Sequence, residues 1–162
     1  MKPGLMGLLG LVLLVGCARP EVWDTEVKHL PSRGWHADST LRFQWEVADT
    51  TASVEVIITL RHDASYPYQN LYLFRSLHSV RGQELADTAE YPLADATGAW
   101  LGTGVGELKS RDFVLRNQAV RFKKPGKYTL ELTQGMRDTV LPGIKDVVVT
   151  IQKVENQGNE SK

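Results

Sequence analysis

The chain has 162 residues, enough for one domain with a sizeable buried core, and its 19 Lys+Arg and 19 Asp+Glu cancel to a formal charge of zero. That balance excludes a basic nucleic-acid binder, whose phosphate contacts need an excess of Lys and Arg. The single cysteine, Cys17, excludes an intramolecular disulfide and a thiolate-held zinc or iron–sulfur site.

Met1-Lys2 opens the chain with a positive charge, and the 11 residues Leu5 to Val15 are apolar apart from glycines. A helix of that length covers about half of a ~30 Å hydrocarbon core, too short to span it. Residues 1–16 therefore read as a signal peptide. Leu14-Val15-Gly16-Cys17 resembles the bacterial lipobox, in which the cysteine becomes the acylated first residue of the mature protein. Palmitate-type chains on Cys17 would tether the domain to a membrane through residues 17–22, each buried methylene contributing about 0.8 kcal/mol. No later stretch approaches the ~18 apolar residues of a second membrane segment, so no span is expected in the mature chain.

From there the hydrophobic period is two. Leu41, Phe43, Trp45 and Val47 alternate with polar residues, and Val54, Val56, Ile58 and Leu60 repeat the pattern against Glu55, Thr59 and Arg61. Leu71 to Leu77 reads as a strand apolar on both faces. Tyr128, Leu130 and Leu132 form another strand, and Val147, Val149 and Ile151 the last, with Val148 opposite. Shorter candidates are Glu84–Tyr91, Phe113–Arg116 and Ala119–Lys123. Asp49-Thr50-Thr51, Arg81-Gly82-Gln83 and Lys124-Pro125-Gly126-Lys127 supply tight turns. Two connections are longer, Asp95 to Ser110 and Gly135 to Gly143. No long window has helical spacing. The expected fold is all-β, an antiparallel β-sandwich of about seven to nine short strands over 23–153, followed by a polar tail over 154–162. Phe43, Trp45, Val56, Ile58, Leu73, Leu130, Leu132, Val147 and Val149 are expected to line one core.

Chemistry is sparse. His29, His36, His62 and His78 lack the spacing of a helical metal pair and read as strand-end or surface residues; neither metal nor cofactor is expected. Asp87 and Glu90 fall on opposite faces of a strand. Asp95 and Glu107 bracket a glycine loop and are the one carboxylate pair with a chance to converge for glycoside hydrolysis. The loop Gly98-Ala99-Trp100-Leu101-Gly102-Thr103-Gly104-Val105-Gly106 lacks the Lys-Ser/Thr of a phosphate-binding loop. Tyr66, Tyr68, Tyr72 and Trp100 are available either for packing or for stacking on a sugar.

Several segments together resemble the GldH gliding-motility lipoproteins. They are Gly34-Trp35, Tyr66-Pro67-Tyr68-Gln69-Asn70-Leu71, Asp95-Ala96-Thr97-Gly98-Ala99-Trp100-Leu101-Gly102-Thr103-Gly104, Lys124-Pro125-Gly126-Lys127-Tyr128 and Gln134-Gly135-Met136-Arg137, besides the lipobox. The likeness runs from about Val22 to Lys153; the Asp138–Gly143 connection is shorter than the family pattern. The resemblance implies a bacterial cell-envelope lipoprotein, anchored at the outer membrane, in bacteria whose gliding machinery is linked to secretion. It brings no catalytic residue with it.

The resulting expectation is a non-enzymatic assembly or interaction component that meets envelope proteins of the gliding or secretion apparatus. Cys17 is the lipidation site, and Asp95, Trp100, Thr103, Tyr66 and Tyr68 are the candidate binding residues. The alternative is a glycan- or peptidoglycan-binding module, which requires an exposed, coplanar platform of Tyr66, Tyr68 and Trp100. A hydrolase using Asp95 and Glu107 is a third reading.

Overall fold

The computed structural model describes residues 20–154. The expected signal peptide, Cys17 with most of its expected tether, and the tail from 155 onward lie outside the described residues.

Ten strands form: β1 (Val22–His29), β2 (Trp35–His36), β3 (Leu41–Val47), β4 (Val54–His62), β5 (Asn70–Ser79), β6 (Gly82–Pro92), β7 (Lys109–Val114), β8 (Gly126–Gln134), β9 (Val140–Leu141) and β10 (Ile144–Lys153). Two four-stranded antiparallel sheets, β1-β10-β4-β7 and β3-β8-β5-β6, make an all-β sandwich, with β2 and β9 as a minor pair. Alternation drives the packing. Val54, Val56, Ile58 and Leu60 of β4 face Phe43, Trp45, Leu73, Leu130 and Leu132 of the other sheet, with Val147, Val149 and Ile151 beside them. All nine residues expected in the core are buried, none more than 4% exposed. Burying side chains of this size contributes about 1.5–3 kcal/mol each.

Several elements differ from the sequence reading: the short β2 and β9 were not expected, and β7 runs Lys109–Val114 rather than Phe113–Arg116. β1 was not expected, because Asp24, Thr25 and Glu26 interrupt its apolar residues; as an edge strand it pairs with β10 alone, and a register shift after Val22 breaks its alternation. Ala119–Lys123 is not a strand: Val120 makes one bridge to Val54 and Phe122 tucks into the core, while the intervening chain is irregular. The second apolar face of β5 looks outward, leaving Tyr72 and Phe74 exposed.

Side chains close both margins of the sandwich. On one, a Glu26 carboxylate of β1 accepts a hydrogen bond from the Gln44 amide of β3 at 2.9 Å. On the other, Arg75 donates to the Leu115 carbonyl at 3.0 Å and Arg111 donates to the Pro92 carbonyl. Tyr91 and Phe113 meet edge to face there, 4.8 Å apart. Such devices occupy edge groups that would otherwise template pairing with another chain.

The strand directions sort the connections onto two ends. The start of β1, the 47–54 turn, the 79–82 hairpin and residues 115–126 gather at one pole. Residues 62–70, 92–109 and 134–143 gather at the other, roughly 30 Å away at ~3.3 Å per strand residue.

Candidate functional site

The far pole is built on the end of β4. Strict alternation along Val54, Val56, Ile58 and Leu60 carries one step further, to His62, which is fully buried. Tyr66 and Trp100 cover it, with ring centroids 5.9 Å and 4.4 Å from the imidazole. Desolvation holds the His62 pKa below 6.5, so the ring is neutral near pH 7. The Nδ1 atom lies 3.4 Å from the Asp63 carbonyl, and Nε2 has no hydrogen-bond partner among the described residues.

Tyr66 is itself buried, and its hydroxyl donates to the Asn70 carbonyl at 2.7 Å. Tyr68 is half-buried and meets Tyr66 edge to face, at 73°. Its hydroxyl donates to the Asp138 carboxylate at 2.6 Å, and that bond raises the phenol pKa by favouring the protonated form. The buried Gln134 side chain donates to the Asp138 carbonyl at 2.7 Å and accepts from the Met136 amide at 2.8 Å. Gln134, Asp138 and Tyr68 thus lock the 134–138 turn beneath the aromatic group. Sequence reasoning placed none of this on His62, Gln134 or Asp138. The signal for His62 was present in the period-two pattern; for the other two there was none, since their partners lie far away in sequence.

The long loop leaves this base in two stages. The Leu93 and Ala94 amides both donate to the Gln69 carbonyl, and the Leu101 amide donates back to Leu93, so residues 94–100 close on themselves. Inside that closure the Asp95 carboxylate accepts from the Thr97 hydroxyl at 2.7 Å and from the Thr97 and Ala99 amides at 2.8 and 3.0 Å. Those bonds, led by Thr97, lower the Asp95 pKa. Asp95 is a turn-forming carboxylate, and Trp100 follows it half-buried over His62. In the second stage Thr103 and Ser110 exchange two backbone hydrogen bonds, at 2.9 and 2.7 Å. The glycines permit this closeness. A Cβ on Gly102 would sit 2.8 Å from the Ser110 carbonyl oxygen, and one on Gly104 would strike the Leu108 carbonyl.

The tip is apolar. Leu101, Leu108 and above all Val105, at 94% exposure, face solvent together with the Thr103 side chain. Glu107 is exposed in the same tip, while Asp95 is engaged with its own turn. The three rings Tyr66, Tyr68 and Trp100 form no coplanar exposed platform. Of the candidate binding residues, the fold brings Tyr66, Tyr68 and Trp100 into one cluster and sets Asp95 and Thr103 in the loop above it. No group of three or more His, Cys, Asp or Glu suited to a metal occurs among the described residues. No helix long and apolar enough to cross a membrane occurs among them.

A family model described as GldH lipoprotein matches residues 23–151. The chain is 30% identical over 153 residues to the gliding motility lipoprotein GldH homolog of Christiangramia forsetii, covering 90% of this chain and 92% of that one. It is 32% identical over 153 residues to gliding motility lipoprotein GldH of Flavobacterium johnsoniae, covering 90% and 93%. Among solved structures it is similar to part of BtGH115A, a family GH115 4-O-methyl-alpha-glucuronidase, with 15% identity and a TM-score of 0.45 over 85% of this chain and 18% of that one. That last likeness is too low to bear on function. The family model spans nearly the whole sandwich, including the Asp95–Gly104 loop and the aromatic base beneath it, and the chain belongs to the GldH lipoprotein family.

Proposed function

We propose that this chain is a non-enzymatic interaction component of the gliding motility machinery and its associated secretion system, anchored at the outer membrane through acyl chains on Cys17. The family membership supports the envelope and motility setting. The observation that carries the interaction role is the far-pole loop. Its base is fixed by the Asp95 turn and by Trp100 over His62, and its tip exposes Leu101, Val105 and Leu108. Exposed apolar side chains on a hydrogen-bonded support suit a surface met by a protein partner, because loops on a scaffold commonly carry function and exposed apolar groups mark contact sites. Tyr66, Tyr68 and Trp100 serve as the support, while Thr103 and the Asp95 turn shape the surface.

Crosslinking on intact envelopes followed by mass spectrometry tests the role. Tryptic peptides spanning residues 95–109 should be recovered joined to proteins of the gliding or secretion apparatus. Recovery of such links from everywhere except this loop would remove the assignment. The anchor is tested separately: Cys17→Ala should take up no fatty-acid label, and labelling of that variant would end the claim.

A further inference from the structure

The overall charge of zero conceals a concentration of positive charge at the near pole. Between Asp112 and Glu131 the sequence holds five Lys or Arg, at Arg116, Arg121, Lys123, Lys124 and Lys127, and no acidic residue. All five are exposed, and none forms an ion pair among the described residues. Their recorded partners are neutral: Arg121 donates to the Ser53 hydroxyl at 3.2 Å and Arg116 to the Glu84 carbonyl at 3.5 Å. Nearby acids are engaged elsewhere. Glu21 pairs with Lys153, Asp49 accepts from Thr51, and Glu84 accepts from Ser79. Glu46 lies opposite Lys127 in register.

The chain enters the sandwich at this same pole. Val22 pairs with Gln152, Lys153 with Val54, and Val54 with Val120, so β1 starts beside the basic segment. From Cys17 to Val22 the backbone reaches at most about 18 Å at ~3.6 Å per residue. An acyl anchor on that tether keeps this pole within reach of the bilayer, with the far-pole loop roughly 30 Å along the sandwich from it. Exposed Val80 and Arg81, at the tip of the β5–β6 hairpin, complete the near surface. The opening between the sheets here is about 190 Å³, floored by Val54, Val56, Leu77, Leu115, Phe122 and Tyr128. That is below the ~300–1,000 Å³ of ordinary small-molecule sites, which favours a surface contact over an enclosed ligand.

We propose that this pole is a membrane-docking face, on which Arg116, Arg121, Lys123, Lys124 and Lys127 meet the phosphates of anionic lipid headgroups. The proposal rests on the reading of Cys17 as lipid-bearing. Its function is orientation. Acyl chains alone leave a domain free to tumble on its tether, and a basic face adds a second attachment that points the opposite pole away from the bilayer. The attraction is coulombic and exposed, so salt weakens it.

The test uses the full acylated chain in vesicles. Acylation blocks the thiol of Cys17, so Val80→Cys and Val105→Cys each provide one site for a fluorescent label. Vesicles of phosphatidylcholine, with or without phosphatidylglycerol, carry a headgroup-linked quencher. With phosphatidylglycerol present, the label at 80 should be quenched several-fold more than the label at 105. That excess should fall to the phosphatidylcholine level in high salt and in an R116E/R121E/K123E/K124E variant, while flotation with vesicles is unchanged. Equal quenching at 80 and 105, or an excess indifferent to charge reversal, overturns the proposal. A chain that floats with neither vesicle at high salt removes the anchor reading instead. It must then still bind phosphatidylglycerol vesicles at low salt, and failure to do so overturns the docking face independently.

Discussion

His62 is fully buried, and the Arg75 side chain is only 10% exposed. Burial keeps the folded His62 pKa below its ordinary 6.5, so the unfolded chain takes up the proton first as pH falls. Its effect on stability is absent above that value and becomes a loss below it. Denaturant midpoints should therefore drop as pH falls below about 6.5, and His62→Phe should flatten that slope. An unchanged slope in His62→Phe would place the titration elsewhere. Asp63 acts lower: burial pushes its carboxyl up, but Lys145 and Ser65 together hold it at about 2. Its contribution is complete above 3.8 and is lost as pH falls through about 2. Arg75 makes a two-pronged pair with Asp87, at 2.7 and 2.6 Å, and reaches Tyr91 and Leu115 across the sandwich. Its side chain is 10% exposed and that of Asp87 36%. Arg75→Ala should cost about 2–3 kcal/mol in urea denaturation, below the ~3–5 kcal/mol of a fully buried pair because solvent screens Asp87. A loss under about half a kcal/mol would show the pair to be a surface ornament.

At the scale of elements, alternation made most of the sandwich legible. β3, β4, β8 and β10 carry unbroken apolar faces, and the core they define is the one the structure has. Leu132→Ala should accordingly destabilise by about 2–5 kcal/mol, read by denaturation; a value near zero would put that face in solvent. β1 was illegible because an edge strand with one neighbour tolerates Asp, Thr and Glu where a central strand would not. The loop was half legible. Its glycines and Trp100 signalled a built structure, and Asp95 a turn, but that Val105 faces outward follows from the Thr103–Ser110 pairing, which no local pattern encodes. The two stages should separate by mutation. Trp100→Ala, removing a half-buried ring, should cost about 2 kcal/mol, roughly half the range for a fully buried aromatic. Val105→Asp should leave the melting transition within about 0.5 kcal/mol of the parent yet reduce envelope crosslinking. Val105→Asp with full crosslinking would show the tip to be idle.

As a whole the molecule has two unlike ends joined by a rigid β-sandwich. One is where β1 begins and carries basic residues that form no ion pair among the described residues, and the other presents the loop with Val105 at its tip over His62, Tyr66 and Trp100. The division is hidden in composition, where the charges cancel, and emerges once strand directions assign each connection to a pole. The central claim is that the far end is where a partner in the motility machinery is met. A photo-crosslinking residue at position 105, compared with one at Gln44 on the outer face of β3, tests it directly in living cells. The account predicts a discrete adduct with a protein of the gliding or secretion apparatus from position 105, lost in the Trp100→Ala background, and none from position 44. Equal adducts from both positions, or none from 105 in a folded, envelope-located protein, would contradict it.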